Sequence, residues 1–234
     1  MGQTRAGSQD QRLPAKHVVD MDLCRKHDNF NLIALPMIAI SNLVYFFSSS
    51  NWSAFHPFRD GLSAAYYKLN VSDTQSIPWG HTYVFWLFCI YMVADIVWLT
   101  VKPETVASPQ TIVVHHVFAL MGVLMGVLEQ RWSWWCSLGL LVEINTVFLL
   151  LRRRYPGIFV IDASFAITWI GIRNVIYPIS TTAFVFEYFE YSARRNHNYI
   201  NSGGMVLGTM LLLNFLFVKW TLNFIQGQKK DKGL

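Results

Sequence analysis

Charge is what this sequence has least of. Fourteen Asp and Glu and nineteen Lys and Arg make up only 14% of its 234 residues, where a water-soluble domain carries about 25%. So few charged side chains cannot cover a soluble protein of this size, which excludes a soluble enzyme and a disordered regulator. Cysteine is equally sparse: three residues, an odd number, do not build a secreted disulfide scaffold. Internal repeats, low-complexity tracts and Ser or Cys nucleophile motifs are lacking as well. The N-terminal stretch has mixed charge, unlike a signal or transit peptide, and Ala6 stands where myristoylation needs Ser or Thr.

What is present is apolar. Hydrophobic residues make up 53% and aromatic residues 15% of the chain, and they fall in long runs. A membrane-spanning helix needs roughly 20 mostly apolar residues. Six stretches qualify: residues 31–47, 83–101, 112–128, 132–151, 159–179 and 205–225. A seventh, 53–67, is aromatic but more polar. Only helices and closed barrels satisfy their backbone in lipid, and continuous runs of this length predict helices. The expected fold is therefore all-α: a polytopic membrane helix bundle of about six spans, seven if 53–67 also crosses. One domain, 29–226, is expected between a polar tail, 1–28, and a basic tail, 227–234.

Orientation follows from Lys and Arg in the flanks. One side receives Lys16, Arg25, Lys26, Lys102, Arg152, Arg153, Arg154, Lys229, Lys230 and Lys232. The other receives Arg59, Lys68, Arg131, Arg194 and Arg195, so ten stand against five and both termini are predicted cytoplasmic. Topology thus accounts for the net charge of +5, and nucleic acid drops out as a partner. Asn51 and Asn70 begin glycosylation sequons in the first non-cytoplasmic loop. Lys230 and Lys232 lie fifth and third from the last residue, like a dilysine retrieval signal, although flanking charge alone also explains them. The expected location is the endoplasmic reticulum membrane, with mitochondrial, Golgi and plasma membranes as alternatives.

Apart from Lys219, which lies near the far end of the sixth span and can snorkel outward, six ionisable residues lie inside the spans: Asp95, His115, His116, Glu143, Asp162 and Arg173. Each costs about 2.5–3.5 kcal/mol to insert, and such groups normally face a bundle interior or a cavity. With that topology Asp95, both His and Asp162 fall towards the cytoplasmic side, Glu143 near mid-membrane and Arg173 deeper. They define either a polar cavity or a set of interhelical hydrogen bonds that only pack the bundle. His115, Ala119, Gly122 and Gly126 form one small-residue stripe for close helix approach, with His116 about 100° round. Asp162, Trp169, Arg173 and Tyr177 share a face of the fifth span, and Arg173 is expected to pair with Glu143 of the fourth. Adjacent His residues diverge on a helix and do not chelate as an i, i+4 pair does, so no metal is expected. Acid–base chemistry by one His beside a carboxylate is the more reasonable use.

The series Asp95, then His115-His116, then Glu143-Ile-Asn-Thr146-Val-Phe148-Leu149-Leu-Leu-Arg152 resembles the TLC domain family of translocating-chain-associating, ceramide-synthase and neuronal-lipofuscinosis-type proteins. The later Arg173 resembles that family's Arg in the following helix. Val147 and Leu150 depart from the family's Pro and Asn. Ceramide synthases also carry a second His followed by Asp after the His pair, where this chain reads Leu141-Val142-Glu143. The resemblance is thus to the small TLC-domain proteins rather than to true ceramide synthases. It implies a role in membrane lipid homeostasis, with a lipid or acyl-chain cavity whose polar end is lined by Asp95, His116, Glu143, Asp162 and Arg173.

Two alternatives stay open, as does the question of whether the protein is an enzyme. One is an acyl-CoA-dependent N-acyltransferase with His115 or His116 as base and Arg152, Arg153 and Arg154 at the mouth for CoA phosphates. Acyl-CoA would then be a substrate, and no cofactor is expected. The other is a non-catalytic accessory subunit or cargo receptor bound to other membrane proteins, with membrane lipids as partners in every reading. Tags placed at the two ends should both react with antibody when only the plasma membrane is permeabilised; protection of either end reverses the assigned orientation.

Overall fold

The computed structural model describes residues 19–48, 79–129, 132–194 and 201–231. The possible span over 53–67, the sequons at Asn51 and Asn70 and the last residues of the dilysine-like ending lie outside them. Among the described residues the architecture is helical throughout. The order is α1 (Met21–Ser48), α2 (Trp79–Val101), a 3₁₀ turn (Pro103–Thr105), α3 (Pro109–Leu128), α4 (Ser133–Leu140) and α5 (Val142–Arg154), then α6 (Phe159–Thr168), a π-helical segment (Trp169–Ile176), α7 (Tyr177–Arg194) and α8 (Ser202–Asp231). Five stretches are long and apolar enough to cross a membrane: Thr82–Val101, Pro109–Leu128, Ser133–Arg154, Phe159–Ala193 and Ser202–Gln226. Ahead of them runs α1, 28 residues long and free of charge from 31 to 48. The protein is a multi-pass membrane helix bundle.

Two spans depart from the plain rods that hydrophobicity predicts. The fourth breaks at Leu141, whose N–H donates to Leu138 O while its carbonyl accepts from Ile144 N–H. Both are i, i+3 bonds, a short 3₁₀ step between α4 and α5. The fifth continues well past residue 179 and covers 35 residues, about 50 Å at 1.5 Å per residue against a hydrocarbon core of about 30 Å. Ser180, Thr181 and Thr182 prolong it: their hydroxyls donate to the carbonyls of Ile176, Tyr177 and Pro178, one turn back. Hydroxyls satisfied in this way add no exposed polarity, so the helix continues where a hydropathy reading stops.

Packing follows the helical faces. One apolar cluster joins α1, α2 and α3 through Leu35, Ile38, Phe85, Phe88 and Val123. The other joins α4, α7 and α8 through Trp135, Leu138, Tyr177, Phe184 and Phe217. The side chains facing outward are also apolar, among them Ile33, Val93, Val97, Ile167, Ile170 and Phe215, as a lipid-facing surface requires.

Polar clasps tie α1 to its neighbours. Asn42 Nδ2 donates to Ser137 O at 2.9 Å and Ser137 Oγ returns a bond to Asn42 Oδ1 at 2.7 Å, with both residues fully buried. At the other end of α1, Asp20 Oδ1 caps the helix by accepting from the N–H groups of Asp22 and Leu23. The Asp20 N–H in turn donates to Glu104 O in the 3₁₀ turn.

Small residues let the helices of the centre approach. A Cβ on Gly126 would stand 2.5 Å from Cys136 Sγ and 3.1 Å from Cys136 Cβ. The Cys136 thiol cannot swing aside without losing its contact to Gly122 O. Gly126→Ala should therefore destabilise the bundle by about 1–3 kcal/mol, the usual cost of overpacking. Gly208→Ala, with nothing within 4 Å of its added carbon, should be neutral or stabilise by up to about 1 kcal/mol. Unfolding midpoints in one detergent check both; equal midpoints for the two variants would contradict the packing.

Candidate functional site

The centre of the bundle is a buried carboxylate held between two imidazoles. Asp95, on the last turns of α2, has 1% of its surface exposed. Its Oδ2 accepts from His116 Nε2 of α3 at 2.6 Å, and its Oδ1 accepts from His27 Nε2 of α1 at 2.5 Å. Behind His27 the polar contacts continue: Asn31 Nδ2 lies 3.4 Å from both ring nitrogens of His27, and Tyr91 Oη donates to Asn31 Oδ1 at 3.2 Å. The Trp98 indole packs against the His27 ring at 5.9 Å. Three helices thus meet at one carboxylate.

His115 points elsewhere, as the 100° offset between neighbouring helix positions requires. It packs against Trp220 and Phe217 of α8, with ring centroids 5.3 and 6.2 Å away. With Glu143 it borders a cavity of about 50 Å³, closed elsewhere by Phe88 and Leu140 from one apolar cluster and Tyr177 and Met210 from the other. Ala119 and Gly122 of the small-residue stripe complete the wall on the α3 side. This space is far below the size of a lipid pocket.

Arg173 lies in the π-helical segment with 6% of its surface exposed. Its Nη2 donates to Thr146 Oγ1 at 2.8 Å. The guanidinium also faces three aromatic rings: Phe217 at 5.0 Å, Trp169 at 5.1 Å and Trp220 at 6.0 Å. Glu143 stands one turn before Thr146, near enough for its charge to act on Arg173, but the two do not form the direct ion pair expected from sequence. Thr146 takes the hydrogen bond, and the aromatic faces supply the rest of the cation's environment.

The remaining residues singled out in the sequence sit away from this cluster. Asp162 is half-exposed and accepts from Arg152 Nε at 2.7 Å, while the Arg152 guanidinium lies over Phe165 and Phe224. Arg153 reaches back to Asp28 of α1 at 3.1 Å, and Arg154 is exposed. Two of the three mouth arginines therefore already face carboxylates. Among the described residues no group of three or more His, Cys, Asp and Glu is arranged to hold a metal ion.

Hydropathy alone does not find His27, because the residue precedes the charge-free run and falls in the stretch assigned to a polar tail. Its signal is periodic. His27, Asn31, Leu35, Ile38 and Asn42 recur at helical spacing and are all buried, so one buried stripe runs through the expected membrane boundary.

Asp95→Ala would leave two buried imidazole N–H groups without an acceptor, at about 1–3 kcal/mol each. Asp162→Ala breaks only a pair whose side chains are 35% and 39% exposed, worth under about 1 kcal/mol. Stability in detergent should therefore fall sharply for the first and little for the second; the reverse order would contradict the geometry.

The TLC domain family model matches residues 35–226, most of the chain. No curated protein and no solved structure matches it. A multi-pass helical bundle with Asp95, the His115–His116 pair, Glu143, Thr146 and Arg173 drawn to its interior belongs to the TLC domain family.

Proposed function

We propose that this protein handles lipid within the endoplasmic reticulum membrane, its buried polar cluster engaging the polar part of a membrane lipid, and that it acts in membrane lipid homeostasis. One observation carries the reading: His115 Nδ1, His116 Nδ1 and Arg173 Nε are buried and have no hydrogen-bond partner. Each such atom costs about 1–3 kcal/mol, and three gathered in one interior are more than packing needs. A lipid headgroup, with donors and acceptors of its own, would satisfy them.

A volume of about 50 Å³ has no room for an acyl chain. The chain is therefore assigned to the apolar outer faces of the helices. The headgroup reaches the cluster when the seam between α3 and α8 parts. His115, at that seam, and Gly122, whose added Cβ would meet Thr209 of α8 at 2.9 Å, are the contacts that must give.

A second reading, an acyl-CoA-dependent acyltransferase, is favoured by the Asp95–His116 pair. A carboxylate that orients one imidazole nitrogen and leaves the other bare is the arrangement of a general base. Against it, Arg152 and Arg153 already face Asp162 and Asp28, which weakens their attraction for CoA phosphates.

Mass spectrometry of lipids retained by the purified protein separates these readings. Asp95→Asn and Glu143→Gln should lower retention of the enriched lipid by about tenfold, the effect of losing a charged hydrogen-bond partner, while Asp162→Asn should not. If no lipid is enriched over bulk detergent extract, the proposal fails. Acyl transfer that disappears in His116→Ala would favour the enzyme, and a stoichiometric protein partner without bound lipid the accessory-subunit role.

A further inference from the structure

Of the two side chains bonded to Asp95, one lies outside the matched domain. The TLC domain match begins at residue 35, yet His27 of α1 occupies a full oxygen of the central carboxylate. We propose that His27 is a positioning residue of this site, setting the direction of its hydrogen bonds so that His116 presents a bare Nδ1 to whatever the cluster binds. The inference rests on the reading of this cluster as the functional site.

Donor and acceptor accounting carries the argument. An ionised carboxylate only accepts, so the nitrogen facing it on each ring carries the proton. His27 and His116 both face Asp95 through Nε2, and in the neutral ring Nδ1 is then the acceptor. The Asn31 amide, oriented by the Tyr91 hydroxyl donating to its oxygen, stands 3.4 Å from both ring nitrogens of His27, and with Nε2 turned to Asp95 only Nδ1 can accept from it. Every step from Tyr91 to Asp95 therefore runs in one direction. On His116 the corresponding Nδ1 is buried and has no partner. The network has its open valence there, as a lone pair.

Were His27 absent, Asp95 Oδ1 would lack its partner in the bundle interior and the carboxylate could rotate or take up a proton. A protonated Asp95 donates, and His116 could then accept through Nε2 and carry its own proton on Nδ1, closing the lone pair. A role in docking α1 alone explains His27 less well. Asn42–Ser137 and Asp28–Arg153 already fasten that helix at two other points, and neither needs the Tyr91–Asn31 relay.

The test uses full-length protein with ¹⁵N-labelled histidine in lipid bilayers. In the wild type, His27 and His116 should each show a protonated Nε2 and a bare Nδ1. In His27→Leu, the His116 signal should shift to the other tautomer or to a mixture of the two, and lipid retention should fall about tenfold. His27→Gln, whose side-chain N–H can replace that of Nε2, should restore both. A wild-type His116 with its proton on Nδ1 overturns the proposal, as does an unchanged His116 signal in His27→Leu. If His27→Leu does not fold, the wild-type spectrum and His27→Gln decide, and a His27→Gln protein with altered His116 tautomer also overturns it. Absence of retained lipid in the wild type would remove the proposed function while leaving the tautomer result standing.

Discussion

A carboxylate in the interior of a membrane bundle persists as an anion only if both of its oxygens are occupied, and Asp95 meets that condition by drawing one helix to each. His116 comes from α3, the next span in the chain, and His27 from α1. Two further contacts fasten α1 in the same register. With His27 seated on α2, the next residue of α1, Asp28, faces Arg153 at the end of α5, and Asn42, four turns on, meets Ser137 of α4. A desolvated charge costs several kcal/mol unless partnered, so α2 holds its carboxylate inside the bundle only with α1 and α3 beside it.

The second buried charge is solvated by different physics. Arg173 has one hydroxyl for a hydrogen bond and three aromatic faces for its guanidinium. Ring quadrupoles attract a cation without donating or accepting a proton. They lower the cost of the charge but leave an individual N–H, such as Nε, without a partner. The π-helical segment belongs to this solution. Widening the helix over Trp169–Ile176 departs from the 3.6-residue turn, and Trp169 and Arg173 both come to face α8, at Phe217, Trp220 and Phe224. Single-turn π segments recur at functional positions because they redirect side chains at the cost of poorer backbone geometry.

The spans and the rare charges inside them were legible in the sequence because each stands far from its background: an apolar run of 20 residues, or one Asp within it, has few other readings. The departures were set by local chemistry that hydropathy does not weigh. His27 looked like tail because polar residues surround it on both sides in sequence, although its helical period continues that of Leu35 and Ile38. The length of the fifth span depended on three hydroxyls turning back onto their own helix. Asp162 read as part of the interior because it shares a span with Arg173, but it lies near the helix start, where Arg152 and the interface compete for it. Arg173 and Glu143 were close, as antiparallel neighbours suggest. Whether a direct pair forms depended on where Thr146 falls, a detail of rotamers rather than of pattern.

Two polar arrangements in this bundle show the difference between a network that packs and one that waits. Asn42 and Ser137 exchange bonds reciprocally at full burial, and such a pair gains nothing by opening to a ligand. The cluster around Asp95 is complete from Tyr91 to His116 and then stops at a lone pair, while His115 and Arg173 carry further unpartnered atoms beside a common wall of Phe217 and Trp220. Buried polar groups in native proteins are nearly always satisfied, and exceptions call for a specific cause. Among the described residues three of the five exceptions, on His115, His116 and Arg173, share the interior that holds the ionisable residues, while Asp28 Oδ1 and Asn145 Oδ1 lie beside Arg153 and α6. Packing alone would have favoured apolar replacements at these positions, because filling the same volume with Leu or Phe removes the penalty entirely. Retaining three histidines, two carboxylates and an arginine in lipid is therefore best understood through what the closed bundle leaves unmet, which is a polar group able to meet them from outside the chain.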